Sequence, residues 1–144
     1  MTVYLDHAAT TPILPEAAAA MTAQLGSVGN PNSLHASGRA ARRVVEESRE
    51  TVARVLGCRP GEVVFTSGGT ESDNLAIKGL FWARAAEDPR RRRIVSTAVE
   101  HHAVLDPLQW LADEAGADVV LAPVDRLGRI DLDAFRAAIE ADPG

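Results

Sequence analysis

The chain has 144 residues, enough for one substantial core and hardly two, and its 46% hydrophobic and 24% charged residues are the balance of an ordinary globular protein. A net charge of −5 and an isoelectric point near 5.3 argue against a nucleic-acid surface, and no apolar run in the sequence approaches the length of a membrane span. Asp6 and His7 stand where a secretory signal would need apolar residues, so a cytoplasmic protein is expected.

Residues 1–15 read as an extended arm, Tyr4-Leu5-Asp6-His7-Ala8-Ala9-Thr10-Thr11-Pro12, that leads to Pro15 and a small-residue helix over Glu16 to Leu25. Turn formers follow at Gly26 and Gly29-Asn30-Pro31-Asn32-Ser33. Apolar or small residues at positions 41, 44, 45, 48, 52, 55 and 56 then recur at helical spacing, and Gly57 supplies a stop, which predicts a long amphipathic helix.

From there the pattern alternates. Strands are expected near Glu62 to Phe65, Ile94 to Thr97 and Asp118 to Leu121, with helices near Thr70 to Ala85 and Val104 to Ala115 between them. A turn over Asp125 to Gly128 precedes a last helix, Leu132 to Ala141, N-capped by Asp131. This order predicts an α/β fold with a mostly parallel sheet, right-handed crossovers and ligands at the C-terminal ends of the strands. About three strands make a thin sheet, so the chain is expected to be part of a larger domain. The run Arg90-Arg91-Arg92-Arg93 reads as a solvated loop.

Two counts limit the chemistry. Cys58 is the only cysteine, which rules out a disulfide within the chain or a multi-cysteine metal site, and His7, His35, His101 and His102 lack a metal-binding spacing, so no metal is expected. Lys78 is the only lysine.

The segment Val63-Val64-Phe65-Thr66-Ser67-Gly68-Gly69-Thr70-Glu71-Ser72-Asp73-Asn74 passes from a β-type run through two glycines into a helix. Backbone N–H groups at a helix start have no intrahelical partner and lie at the positive end of the helix dipole. Gly68 and Gly69 let an anion come close, and Thr70 adds a hydroxyl. Neither G-x-G-x-x-G nor G-K-[ST] is present, so the phosphate expected here belongs to something other than a nucleotide, with pyridoxal phosphate the leading candidate. Read locally, a ligand-free strand-to-helix turn fits these residues as well.

Four segments taken together, the arm Tyr4 to Pro12, the loop Gly29 to His35, the stretch Phe65 to Gly79 and Glu100-His101-His102-Ala103-Val104-Leu105-Asp106, closely resemble the cysteine desulfurase family in order and spacing. The similarity is to the N-terminal portion of the iron-sulfur-cluster and nitrogen-fixation members. The resemblance implies a fold-type I pyridoxal-phosphate enzyme whose large domain begins in residues 16–144, and which takes sulfur from L-cysteine to leave L-alanine and an enzyme persulfide. It implies that Gly69 and Thr70 hold the cofactor phosphate, and that His101 stacks on the pyridine ring and exchanges protons there. It also implies a homodimer that passes sulfur to an iron-sulfur scaffold or a tRNA-thiolation carrier.

Taken alone, His101 reads as a polar residue near a helix start bonding to backbone or to Glu100. His102 is read as structural. Asp6, His7, Thr10, Asn30 and Asn32 match the family's approach to the active site without individual roles.

Cys58 lies too early in the chain to be the family's nucleophile. Lys78 sits about 12 Å along its helix from the glycines and is not the family's Schiff-base lysine. The segments carrying those two groups lie downstream in the family, so the chain alone is expected to be inactive. The alternatives are a selenocysteine lyase or another fold-type I lyase, or a non-catalytic module that binds phosphate or pairs with another chain.

Overall fold

A computed structural model describes residues 3–141. The chain divides after Val64 into two compact units.

In the first unit, α1 (Pro15–Leu25) begins with a proline whose missing N–H would have had no partner in the first turn. Helix α2 (Ala36–Leu56) is capped by His35, whose Nδ1 accepts the Gly38 N–H at 3.3 Å. It stops at Gly57, which is left-handed at φ 70°, and the next N–H, that of Cys58, returns to the Ala53 carbonyl at 3.0 Å. Ala53, outside the stripe expected from the spacing, is the buried residue of its C-terminal half; of the stripe itself Ala41, Val44 and Val45 are half-buried, whereas Ser48, Val52, Val55 and Leu56 are exposed.

The strand expected over Glu62 to Phe65 does not form. Pro60–Glu62 is a 3-10 turn, closed by Glu62 accepting the Arg59 N–H at 2.7 Å and its guanidinium at 2.8 Å. Val63 is extended (φ −98°, ψ 121°) and its carbonyl accepts from Arg49, but no ladder runs along the segment among the described residues. Val64 and Phe65 are 64% and 50% exposed. A β-branched run favours extended backbone; a strand also needs a neighbour, and the sequence pattern does not supply one.

The second unit runs α3 (Gly69–Glu87), β1 (Arg93–Thr97), α4 (His102–Ala115), β2 (Asp118–Ala122) and α5 (Leu132–Glu140). β1 and β2 pair in parallel from Arg93 opposite Asp118 to Thr97 opposite Ala122, with α4 as the connection, so the expected parallel sheet has two strands among the described residues. Phe81 of α3 and Ala103, Pro107, Leu108 and Leu111 of α4 make the core with Ala122, and Leu111 is wholly buried.

The arginine run is not uniformly solvated. Arg90 is exposed and pairs with Asp88, whereas half-buried Arg92 donates to the Ala115 and Gly116 carbonyls at the end of α4, and Arg93 pairs with Asp118 at 2.7 Å. Arg92 thereby satisfies carbonyls that a helix C-terminus leaves without partners. Asp131 caps α5 as the sequence suggests, accepting the Asp133 and Ala134 N–H groups at 3.0 Å.

Candidate functional site

Helix α3 starts in a turn that holds itself. The Thr66 and Ser72 hydroxyls meet at 2.6 Å, and the Ser72 N–H reaches the Gly68 carbonyl at 3.1 Å. Glu71 Oε2 accepts both the Ser67 hydroxyl and the Ser67 N–H at 2.6 Å, a variant of the capping box, and those two bonds hold its carboxyl below the usual range. Glu71 places negative charge at the helix start, with its Oε2 engaged by the two Ser67 bonds. The N–H groups of Gly69 and Thr70 lie beyond the reach of intrahelical acceptors.

Neither glycine is required by the fold. Gly68 is extended at φ 163°, and a Cβ at Gly68 or Gly69 would meet no atom within 4 Å. The space above this helix start is open, and bare backbone faces it.

Helix α4 starts at the C-terminal end of β1. There the buried Thr97 hydroxyl donates to Glu100 Oε1 at 3.2 Å, and His101 is the N-cap, its Nδ1 accepting the Ala103 N–H at 3.0 Å. That bond assigns the proton of the neutral ring to Nε2. The backbone partner expected for His101 read alone is therefore present, while Glu100 turns to Thr97 instead. His102 faces Asp106, with Nδ1 and Oδ1 3.2 Å apart.

The two starts come together. Thr70, Asn74 and Lys78 of α3 line one open groove of about 370 Å³ with His101, His102, Asp106 and Trp110. Asn74 donates to the Thr70 carbonyl at 3.0 Å, and the Lys78 ammonium lies 4.6 Å from the centre of the Trp110 ring. Sequence reasoning placed Thr70 and His101 here and missed Asn74 and Trp110. The spacing of 70, 74 and 78 marks one face of a helix and could have flagged Asn74; Trp110 carried no such signal. A larger groove of about 420 Å³ is floored by Ile77, Leu80 and Phe81, but Arg84 and Arg90 at its rim are paired with Glu87 and Asp88, and it holds no cradle or nucleophile.

The other singled-out residues lie in the first unit. His7 Nδ1 is 3.2 Å from the Thr11 hydroxyl, the Asp6 carbonyl accepts the Thr10 N–H at 3.3 Å, and Asn30 Oδ1 accepts the Asn32 N–H at 2.9 Å, each a local tie of its own loop. Cys58 is a half-buried free thiol. No group of three or more His, Cys, Asp or Glu arranged to hold a metal occurs among the described residues.

The sequence profile of the aminotransferase class-V family matches residues 3–144. The chain belongs to that family. Among its relatives, an IscS-like cysteine desulfurase of Mycobacterium tuberculosis is 56% identical over 138 residues, covering 96% of this chain and 35% of the relative. Cysteine desulfurase IscS of Dictyoglomus turgidum is 44% identical over 141 residues, covering 97% and 35%. A solved NifS-like protein superposes with a TM-score of 0.81 at 38% identity, over 93% of this chain and 36% of that one. A structure of SspA in complex with cysteine does so at 0.73 and 36% identity, over 85% and 35%. The chain thus spans about a third of the length of the family members it matches. These neighbours place its α/β architecture in the fold-type I class.

Proposed function

We propose that the chain serves a pyridoxal-phosphate-dependent cysteine desulfurase, in which residues 16–144 are the N-terminal part of the cofactor-binding large domain and residues 1–15 an arm. The observation that carries this is the groove that Thr70, in the first turn of α3, and His101, at the start of α4, both line. The donor set suits a phosphate ester: free first-turn N–H groups, the Thr70 hydroxyl, the positive helix end, and open space where a Cβ at either glycine would sit. The names of the relatives, and the cysteine held by the neighbour SspA, support L-cysteine as substrate.

When bound, pyridoxal phosphate supplies an electron sink for the amino acid's α-carbon. The chain's own residues position it. Gly69 and Thr70 would hold the phosphate, and His101, its Nδ1 fixed by the Ala103 N–H, would face the ring and hold or move a proton at Nε2. Sulfur leaving L-cysteine for an enzyme thiolate gives L-alanine and a persulfide, and a homodimer passing that sulfur to an iron-sulfur scaffold or a thiolation carrier completes the reading.

Thr70→Val tests it by removing one hydroxyl donor from the phosphate. Its affinity for pyridoxal phosphate, measured by equilibrium dialysis, is expected to fall roughly tenfold, the worth of a hydrogen bond to a charged group, with the melting curve unchanged. Equal affinity in the two proteins would sink the reading. The residues described are themselves expected to bind the cofactor, read by the same dialysis.

A further inference from the structure

Lys78, the chain's only lysine, is half-buried and rests on the π-face of Trp110. Trp82 meets Trp110 edge-on, with ring centres 6.3 Å apart and planes at 88°. The three side chains form a strut across the seam between α3, which carries Lys78 and Trp82, and α4, which carries Trp110. Thr70 and Lys78 are two turns apart on α3, as His102 and Trp110 are on α4, and all four line the same groove. The helices therefore run side by side in the same direction, with their starts at one end and the strut about 12 Å along at the other. At that distance Lys78 does not touch a phosphate held at Gly69–Thr70.

We propose that Lys78 is a positioning residue: its ammonium, held on the Trp110 ring, sets the gap between α3 and α4, and so sets the distance between the phosphate donors at Gly69–Thr70 and the His101 ring. A cation over an indole suits this work, because the attraction draws the two helices together while the aliphatic stem keeps them from closing. The inference rests on the cofactor reading above.

The test uses pyridoxamine 5′-phosphate as the probe, because its amine cannot condense with Lys78. Equilibrium dialysis compares the unaltered full chain with Lys78→Met, Lys78→Arg, Trp110→Leu and the Met/Leu double variant, with circular dichroism establishing that each is folded at the measuring temperature. Lys78→Met and Trp110→Leu are each expected to weaken binding about threefold to fivefold, the worth of a partly exposed cation–π contact. Lys78→Arg, which also stacks on indole, should bind within about twofold of the unaltered chain. The double variant should bind no worse than the weaker single one, because both remove the same contact.

Two results overturn the proposal: Lys78→Met binding as tightly as the unaltered chain, or Trp110→Leu binding normally while Lys78→Met does not, which would mean that the charge acts directly. Should Trp110→Leu fail to fold, Lys78→Gln against Lys78→Arg decides the point, since both fill the space and only one is a cation. The cofactor reading fails separately, through an unaltered chain that does not bind the probe or a Thr70→Val variant that binds it undiminished.

Discussion

His101 has two separable duties at the level of a single side chain. Its Nδ1 caps α4, and its ring lines the groove. Asparagine caps helices well and alanine does not, so His101→Ala should lower stability by about 1 kcal/mol while His101→Asn keeps it. Both variants should lose the same affinity for pyridoxal phosphate, because neither retains the imidazole. Melting curves beside dialysis check this, and an Asn variant with full affinity would confine His101 to capping. The sequence suggested both duties, since a histidine before a helix reads as a polar cap and the surrounding motif reads as a ring partner. It was silent on Trp110, because an aromatic on an amphipathic helix has the same pattern whether it packs inward or receives a cation.

Among the elements, legibility followed how local the cause was. Pro15, Gly57 and Asp131 fix helix ends through their own backbone or side chain, and all three ends lie where the sequence put them. The run at Val63 to Phe65 failed because its cause is not local. Arg92 and Arg93 failed for a related reason: a charged run looks solvated until a helix C-terminus and Asp118 come within reach.

The same local ties carry an acid dependence. The Arg90 side chain, then its N–H, hold the Asp88 carboxyl down at about 2, and Arg59, Ser67 and the Arg129 N–H depress Glu62, Glu71 and Asp125. Each of these groups binds its proton more weakly folded than unfolded. Their contribution is therefore complete above the unfolded values near pH 4 and lost as pH falls through the folded ones, down to about 2. Melting temperatures should drop across that window, and the drop should be shallower for Asp88→Asn; an identical profile would count against the tie to Arg90.

For the whole molecule, the buried residues are few and mostly small, and Leu111 alone among the described residues is a large side chain with no exposure. Leu111→Ala should therefore cost about 3 kcal/mol, read by denaturant unfolding, because it empties the most deeply buried position of the core that Phe81 and Leu108 complete. Large apolar side chains stay in water in both units, among them Leu34 at 87% and Val55 at 81% exposed in the first and Leu127 at 67% in the second.

Trp82 and Trp110 are also the only two tryptophans in the chain. Two indoles 6.3 Å apart couple their electronic transitions, and the coupling changes sign and size with their mutual angle. The seam between α3 and α4 therefore carries its own chromophore pair. A bisignate band in the ultraviolet circular dichroism would report that seam opening or tightening, with no label attached.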